Sequence, residues 1–237
     1  MSIVSLDSRC AQSQKTIHKG TSESLDKLGA PQSKLTMLGL VIAYSPNYVN
    51  IALRWAGVNL GLQGPPSVLI WNWVAVALLL AFIARVEKRG LESISLTKPH
   101  WKDVLWGIAF WVISTATSIV LNIIAPPAQN KGLDTITNLP LPVLIALILT
   151  TGITEEILFR GYPIKRLQEL TGRGWLAVLI SFSIFVLPHI RFFGPEWLLY
   201  NGTGVVLLYV LYVWRRNLWP CMIMHILGNA LLLVPRT

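Results

Sequence analysis

The sequence predicts an all-α fold, a polytopic bundle of about seven or eight transmembrane helices, and three observations point to it. Of the 237 residues, 53% are hydrophobic and only 13% are charged, whereas soluble globular domains carry about 25% charged residues. Apolar segments of near-spanning length recur along the chain, and its ten Trp residues suit the interfaces of a membrane. A backbone in lipid must satisfy its own hydrogen bonds, so we expect these segments to be helices.

Each apolar segment is close to the length of about 20 residues that crosses the hydrocarbon core. None of them alternates polar and apolar residues, as the strands of a membrane barrel would. We expect Pro46 to kink the first helix, because proline removes a backbone donor from the helix interior. The predicted segments are 35–56, 67–84, 104–124, 139–159, 175–192, 196–213 and 218–234.

The chain is predicted to contain one membrane domain, residues 34–237, after a polar tail, residues 1–33. The tail is rich in Ser, Lys and Gln and has no periodic apolar pattern, which predicts a disordered cytoplasmic segment. No apolar stretch follows its first charges, so it is not typical of a secretory signal. The two cysteines, Cys10 and Cys221, are too few for a disulfide framework and are expected to be free thiols.

Basic residues are distributed unevenly between the predicted loops, and this predicts the orientation of the chain. With the N-terminus in the cytoplasm, the inside loops hold eleven Lys and Arg residues, the outside regions hold four, and the tail together with Lys34 adds five inside. The positive-inside rule therefore predicts a multi-pass protein with a cytoplasmic N-terminus and the C-terminus on the opposite side. The net charge of +9 has the same explanation, so we expect membrane lipid and no nucleic acid as a partner.

Ionisable side chains within the apolar segments are few. Of the eleven acids only Glu155 and Glu156 lie inside such a segment, apart from Glu196 at the first position of its segment, and of the four histidines only His189 and His225 do. An ionisable group costs about 2.5–3.5 kcal/mol at the centre of a membrane helix on insertion scales, so its presence suggests a function. The candidate functional residues thus lie in the last hundred residues of the chain.

The first group is the segment Glu155-Glu156-Ile157-Leu158-Phe159-Arg160. Residues four apart share one face of a helix, so we expect Glu156 and Arg160 to form an ion pair. Glu155 is rotated by about 100° from that face and is expected to point into a polar cavity. A partly desolvated carboxylate in such a cavity is a usable general base.

Two further groups lie in later segments. Phe185 and His189 share a helix face, and Pro188 is expected to disrupt the helix just before the histidine and admit water. His225 and Asn229 also stand one turn apart, and both can donate hydrogen bonds to an oxyanion. Singly, each motif is compatible with a structural ion pair or a helix–helix hydrogen bond. Together, three helices supply a base, a second proton-handling group and oxyanion donors, which favours a hydrolytic site.

In this order the motifs resemble those of the CPBP family of intramembrane endopeptidases, which includes CAAX prenyl proteases and bacteriocin-processing, Abi-like proteins. The family pattern reads EExxxR, FxxxH and HxxxN, and the chain has these letters at 155–160, 185–189 and 225–229. The resemblance covers about residues 139–234, the expected CPBP core. It implies a bundle of mostly transmembrane helices around a membrane-embedded polar cavity.

The resemblance also implies roles for individual residues. Glu155 and His189 would activate a water, and His225 and Asn229 would hold the carbonyl oxygen of the substrate. The supporting residues would be Glu156, Arg160 and Phe185. Because the family is also described as a metalloprotease family, zinc bound by Glu155, His189 and His225 is an alternative, and two histidines with one glutamate are an acceptable zinc set. The cofactor expectation is therefore none, or Zn.

The leading functional hypothesis is an endopeptidase that hydrolyses a peptide bond in a membrane-associated peptide or lipidated protein, with a prenylated CAAX-like substrate as one candidate. One alternative is a non-catalytic CPBP-fold scaffold or bacteriocin-immunity protein. Another is a transporter that uses the glutamate and the histidines as a proton relay. No paired broken helices are visible in the sequence, which disfavours the transporter.

The predicted segments place the candidate residues at different depths. Glu155 and His225 lie near the cytoplasmic ends of their segments, whereas His189 lies nearer the outside. Straight, perpendicular helices would keep them apart. We therefore expect the helix of 139–159 to continue past Arg160, and the helix that carries His189 to be tilted or displaced.

Overall fold

The computed structural model describes residues 30–59, 64–127 and 129–234. Most of the predicted tail, including Cys10, lies outside these residues, whereas Cys221 is a buried free thiol. The described residues form helices with short connections and contain no strand. The predicted all-α class is confirmed.

The helices account for most of the predicted apolar segments. Five of the described helical stretches are long and apolar enough to cross a membrane, so the chain is a multi-pass integral membrane protein. The elements are α1 (Ala30–Tyr44), α2 (Pro46–Trp55), α3 (Pro66–Arg85), α4 (Trp101–Ile124), α5 (Lys131–Thr137), α6 (Leu141–Glu155), α7 (Tyr162–Thr171), α8 (Gly174–Phe193), α9 (Trp197–Arg215) and α10 (Leu218–Ala230). Short 3-10 turns occupy Leu91–Ile94 and Leu231–Leu233.

The first apolar segment differs from the single kinked helix that we expected at 35–56. It is broken at Ser45 into α1, with 15 residues, and α2, with 10. Pro46 is the first residue of α2, a position where the missing backbone N–H costs nothing. The site of the disruption was predicted, but the proline starts a new helix instead of bending the old one.

The longest helix runs from Leu141 to Thr171, 31 residues in all. Helices α6 and α7 are joined in it by a π-helical turn, Glu156–Gly161. The expectation that this helix continues past Arg160 is therefore confirmed. Single π-helical turns inside α-helices are rare and often occur at functional sites.

Arginine residues lie at the termini of three helices, or directly before them, at one end of the bundle, which we call the basic end. Helix α3 ends at Arg85, Arg173 precedes α8, and α9 ends at Arg215. Helices α4, α6, α8 and α9 have their other termini at the opposite end. The long helix lies against α1, α3, α8 and α10, so its middle is surrounded by other helices.

Buried polar contacts fasten the basic end. Arg166 of α7 forms an ion pair with Glu87 (Nη2–Oε2 2.5 Å), and the hydroxyl of Tyr162 donates to the same carboxylate at 2.7 Å. Asn217, just before α10, donates to the buried Asp103 of α4 at 2.9 Å. These contacts fix α7 and the start of α10 against the rest of the bundle.

Helices α4 and α10 pack closely at Gly107. A Cβ atom there would lie 2.8 Å from the backbone oxygen of Pro220 and 2.9 Å from Ile223. We predict that Gly107→Ala lowers the free energy of unfolding by about 1–3 kcal/mol, because a backbone atom cannot move aside as a flexible side chain can. Thermal unfolding in detergent measures this effect. Gly202→Ala is the matched control, since its nearest neighbour would be 3.9 Å away, and an equal loss in both variants would contradict the close-packing account.

Candidate active site

Glu155 and His189 lie at the same level because α7 and α8 form a hairpin at the basic end. Gly172 closes α7 with a φ of +67°, a left-handed conformation that glycine adopts without strain. Glu155 lies 16 residues before the end of α7, and His189 lies 15 residues after the start of α8. Phe159 and Phe185 lie between this level and the basic end, and their ring centroids are 5.3 Å apart. This contact confirms the register of the two helices.

This register resolves the depth difference that the apolar segments predict. The hydropathy of the long helix falls after residue 159, but the helix itself continues to Thr171. Glu155 therefore lies near the middle of the helix and not near its basic end. His189 reaches it by ordinary antiparallel packing of α8.

His225 reaches the same level because α10 begins deeper in the bundle than its neighbours. Leu218, its first residue, lies against Gly161, where a Cβ atom would be 2.8 Å from Cδ1 of the leucine. The backbone N–H of Leu218 donates to the carbonyl of Ser95 at 3.0 Å, which holds this start in place. Further along the helix, Gly152 allows Ile226 to approach α6 closely.

Glu156 is the centre of the site and is completely buried. Arg160 Nη1 donates to Glu156 Oε1 at 2.6 Å, and both side chains are 0% exposed. His225 Nδ1 donates to the same oxygen, also at 2.6 Å. The ion pair predicted from the helical spacing is present, and a second helix, α10, hydrogen-bonds to it through His225.

Two aromatic rings cover the guanidinium of Arg160. Its Cζ lies 4.7 Å from the ring centroid of Phe185 and 4.4 Å from that of Tyr209. Cation–π contacts contribute about 2 kcal/mol or more where they are desolvated. Phe185 therefore has the supporting position expected of it, whereas Tyr209 of α9 was not singled out, because a tyrosine in an apolar helix looks like ordinary core.

Glu155 differs from its neighbour in exposure and in partners. Its side chain is 13% exposed, and its Oε2 lies 3.9 Å from Nε2 of His225. The imidazole of His225 is thus placed between two carboxylates, with Nδ1 on Glu156 and Nε2 towards Glu155. The partly exposed acid is the one that solvent and substrate can reach.

His189 is fixed in orientation and in tautomer. Its Nδ1 lies 2.7 Å from the carbonyl oxygen of Phe185, which can only accept, so Nδ1 carries the proton and Nε2 can accept one. The ring stacks on Trp197 with a centroid distance of 4.7 Å and an interplanar angle of 23°. The ring centroid of Phe185 lies 4.5 Å from that of His189 and 6.5 Å from that of His225, whose Nε2 lies 3.9 Å from Glu155 Oε2. The three residues therefore come together.

Asn229 faces the long helix one turn beyond His225. Its Nδ2 donates to Thr151 Oγ1 at 3.0 Å, and that hydroxyl donates in turn to Leu147 O at 2.8 Å. An amide nitrogen has two hydrogens, so one remains for a ligand. Thr151 was not predicted as part of the site, because a threonine in an apolar helix commonly bonds to its own backbone.

The donors present do not support the zinc alternative. Within the described ranges, no group of three or more His, Cys, Asp or Glu side chains is arranged so that it could hold a metal ion. The Nδ1 atoms of His189 and His225 are engaged by Phe185 and Glu156, which leaves both Nε2 atoms for another partner. Zinc-binding histidines also make such Nδ1 bonds, so it is the spatial arrangement of the donors that does not support zinc.

The buried ion pair makes a prediction about stability. Arg160→Met leaves the Glu156 carboxylate buried without its cation, and we expect the free energy of unfolding to fall by about 3–5 kcal/mol. The double variant Glu156→Gln/Arg160→Met should recover most of that loss, because no uncompensated charge remains. Denaturant or thermal unfolding in detergent distinguishes the two.

The matched control for this experiment is Arg191→Met, which removes an exposed arginine from α8. It should leave the unfolding transition almost unchanged. A double variant as unstable as Arg160→Met alone would contradict the account, since the loss would then come from packing and not from the buried charge.

One comparison with known proteins finds a match. Residues 137–231 match the family model described as type II CAAX prenyl endopeptidase Rce1-like, and the match contains all three motifs. No curated protein and no solved structure matches the chain. The helical region that carries the site, residues 137–231, is therefore similar to the Rce1-like type II CAAX prenyl endopeptidases, the family that the motifs resemble.

Proposed function

We propose that the chain is an intramembrane endopeptidase that hydrolyses a peptide bond by a water activated at Glu155 and His189. The observation that carries this proposal is the placement of Glu155. It is a partly exposed carboxylate, 3.9 Å from an imidazole that is itself held by the buried Glu156. Two adjacent acids in different environments can have different roles. Here the buried Glu156 would support the site, and the partly exposed Glu155 would act on the water.

In the proposed reaction, a water lies between Glu155 and His189. The carboxylate accepts a proton from the water, and the water oxygen forms a bond to the carbonyl carbon of the scissile peptide. Nε2 of His189 is the free acceptor that orients this water, since Nδ1 is occupied by Phe185. General-base catalysis of this kind contributes roughly 10²–10⁴-fold to the rate.

The negative charge that develops on the carbonyl oxygen needs hydrogen-bond donors. Asn229 supplies one N–H of its amide, because the other is held by Thr151. His225, one turn before Asn229 on the same helix, is the second proposed contact, through Nε2. Donors fixed before the reaction are worth more than donors that must reorient.

The intermediate then collapses with cleavage of the C–N bond. The proton taken from the water passes from Glu155 to the leaving nitrogen, which departs as an amine. The products are a new carboxyl terminus, with one oxygen from water, and a new amino terminus. No step requires a group other than the side chains described and one water.

The proposed substrate is a membrane-associated peptide or protein, because Glu155 and His189 lie in helices that are long and apolar enough to cross the membrane. The family model that matches the site region is named for CAAX prenyl endopeptidases, so a prenylated C-terminal peptide is the first candidate. The positive-inside rule further suggests that the basic end faces the cytoplasm, with the N-terminus on that side and the C-terminus opposite.

We predict that Glu155→Gln lowers kcat/KM by roughly 10²–10⁴-fold, because glutamine cannot accept the proton of the water. A fluorescent farnesylated peptide with a C-terminal CAAX sequence, in detergent micelles, is the assay. Glu92→Gln changes an exposed acid outside the site and is the control. Cleavage by Glu155→Gln at the wild-type rate would contradict the proposal, and a folded wild-type protein that cleaves no peptide would favour the non-catalytic scaffold.

A second prediction concerns metals. If the side chains and water are sufficient, dialysis against a strong zinc chelator should leave the rate of peptide cleavage unchanged. Loss of activity in the chelator, with full recovery on addition of zinc, would show that the donors rearrange around a metal. The unfolding temperature, followed in parallel, separates such a loss from simple denaturation.

A further inference from the structure

A polar side chain in α9 has no role in the site described so far. Asn201 is exposed, although it lies in an apolar helix. Within the described part of the chain its side chain makes one hydrogen bond, from Nδ2 to the carbonyl of Trp197 in its own helix at 3.2 Å. Positions 197, 201 and 208 recur at helical spacing, so Asn201 shares a face with Trp197, which stacks on His189, and with the buried Leu208.

The packing of α8 on α9 places Asn201 at the level of His189. Ser181 Oγ and Tyr209 Oη lie 3.1 Å apart and fix the register of the two antiparallel helices. Eight residues from this contact towards the opposite end, α8 carries His189 and α9 carries Asn201. The amide of Asn201 therefore lies at the same level as His189 along the helix axes.

The packing of α9 on α10 shows a gap at the same level. Cys221 Sγ lies 3.7 Å from the carbonyl oxygen of Leu208, which fixes the register. Seven residues further towards the opposite end, α9 carries Asn201 and α10 carries Gly228. Gly228 is exposed, and a Cβ atom there would have no neighbour within 4 Å. The two helices thus leave open space next to the turn that carries His225.

We propose that this cleft, bordered by Asn201 and Gly228, holds the backbone of the substrate beside the scissile bond, and that the amide of Asn201 hydrogen-bonds to it. The inference rests on the proposed endopeptidase function. A peptide bond must leave its own helix or strand before it can be cleaved, and its freed N–H and C=O groups then need partners within the membrane. The amide supplies both a donor and an acceptor, and the missing side chain at Gly228 allows a close approach of backbone.

Lipid alone accounts poorly for these two residues. Hydrocarbon chains offer no hydrogen bonds, so an amide directed at them is costly. An extended peptide offers a donor and an acceptor at every residue. The occupant of the cleft is therefore the substrate segment and not an acyl chain.

The test compares Asn201→Leu, Gly228→Ala and Gly228→Leu with the wild type. Asn201→Leu should raise KM about three- to tenfold with little change in kcat, as expected for one lost hydrogen bond. Gly228→Ala should lower kcat/KM by a small factor, because its Cβ atom meets the substrate backbone, whereas Gly228→Leu should fill the cleft and lower kcat/KM more than tenfold; wild-type kcat/KM in Gly228→Leu would contradict the proposal. The probe is a fluorescent farnesylated peptide with a C-terminal CAAX sequence.

Ser183→Leu is the matched control. The hydroxyl of Ser183 is exposed in α8 and bonds only to Leu179 O of its own helix, at 2.9 Å, on the side away from Phe185. If Asn201 were an ordinary lipid-facing residue, its replacement by leucine would have the same effect as Ser183→Leu. Equal KM values for these two variants would overturn the proposal.

Binding measured without cleavage separates this inference from the proposed function. In a Glu155→Gln background, fluorescence anisotropy reports the Kd of the same peptide, and Asn201→Leu should raise it three- to tenfold. If Asn201→Leu weakens peptide binding but the wild type cleaves no peptide, the cleft is supported and the endopeptidase function is contradicted. Cleavage by the wild type with unchanged Kd and KM in Asn201→Leu would leave the endopeptidase and remove the cleft.

Discussion

The structure depends on one buried charge, the carboxylate of Glu156. A carboxylate with no solvent exposure costs several kcal/mol unless it is paired and hydrogen-bonded. Arg160, one turn away, supplies the counter-charge, and His225 of α10 supplies a second donor to the same oxygen. The rings of Phe185 and Tyr209 then cover the guanidinium from α8 and α9. Four helix segments are thus positioned around a single side chain that takes no part in the proposed chemistry.

Because Glu156 holds His225 by Nδ1, it also places Nε2 of that ring next to Glu155. Two adjacent glutamates have the same chemistry in water, but here one is enclosed and the other is partly exposed. The enclosed acid orients an imidazole, and the exposed acid faces the far side of that imidazole. His189 completes the arrangement from a different helix, with its own tautomer set by the backbone of Phe185. In the proposed reaction the enclosed acid is therefore the support and the exposed acid is the base.

The sequence predicts what local spacing determines. The pair of Glu156 with Arg160 follows from helical periodicity alone, and so does the shared face of His225 and Asn229. Hydropathy, however, cannot show where the long helix ends, because its last turns are amphipathic and Arg166 is buried by an ion pair with Glu87, 79 residues away in the chain. That long-range contact, together with the deep start of α10, places the catalytic candidates at one level. Aromatic residues such as Tyr209 carry no signal that separates a cation–π partner from core.

The most direct test of the account is to incubate the purified protein with a farnesylated CAAX peptide in H2¹⁸O and weigh the products by mass spectrometry. Hydrolysis by an activated water predicts two fragments from one peptide bond, with a single ¹⁸O atom in the new carboxyl terminus. The Glu155→Gln protein should give neither fragment on the same time scale. An intact, unlabelled peptide after incubation with folded wild-type protein would contradict the central claim.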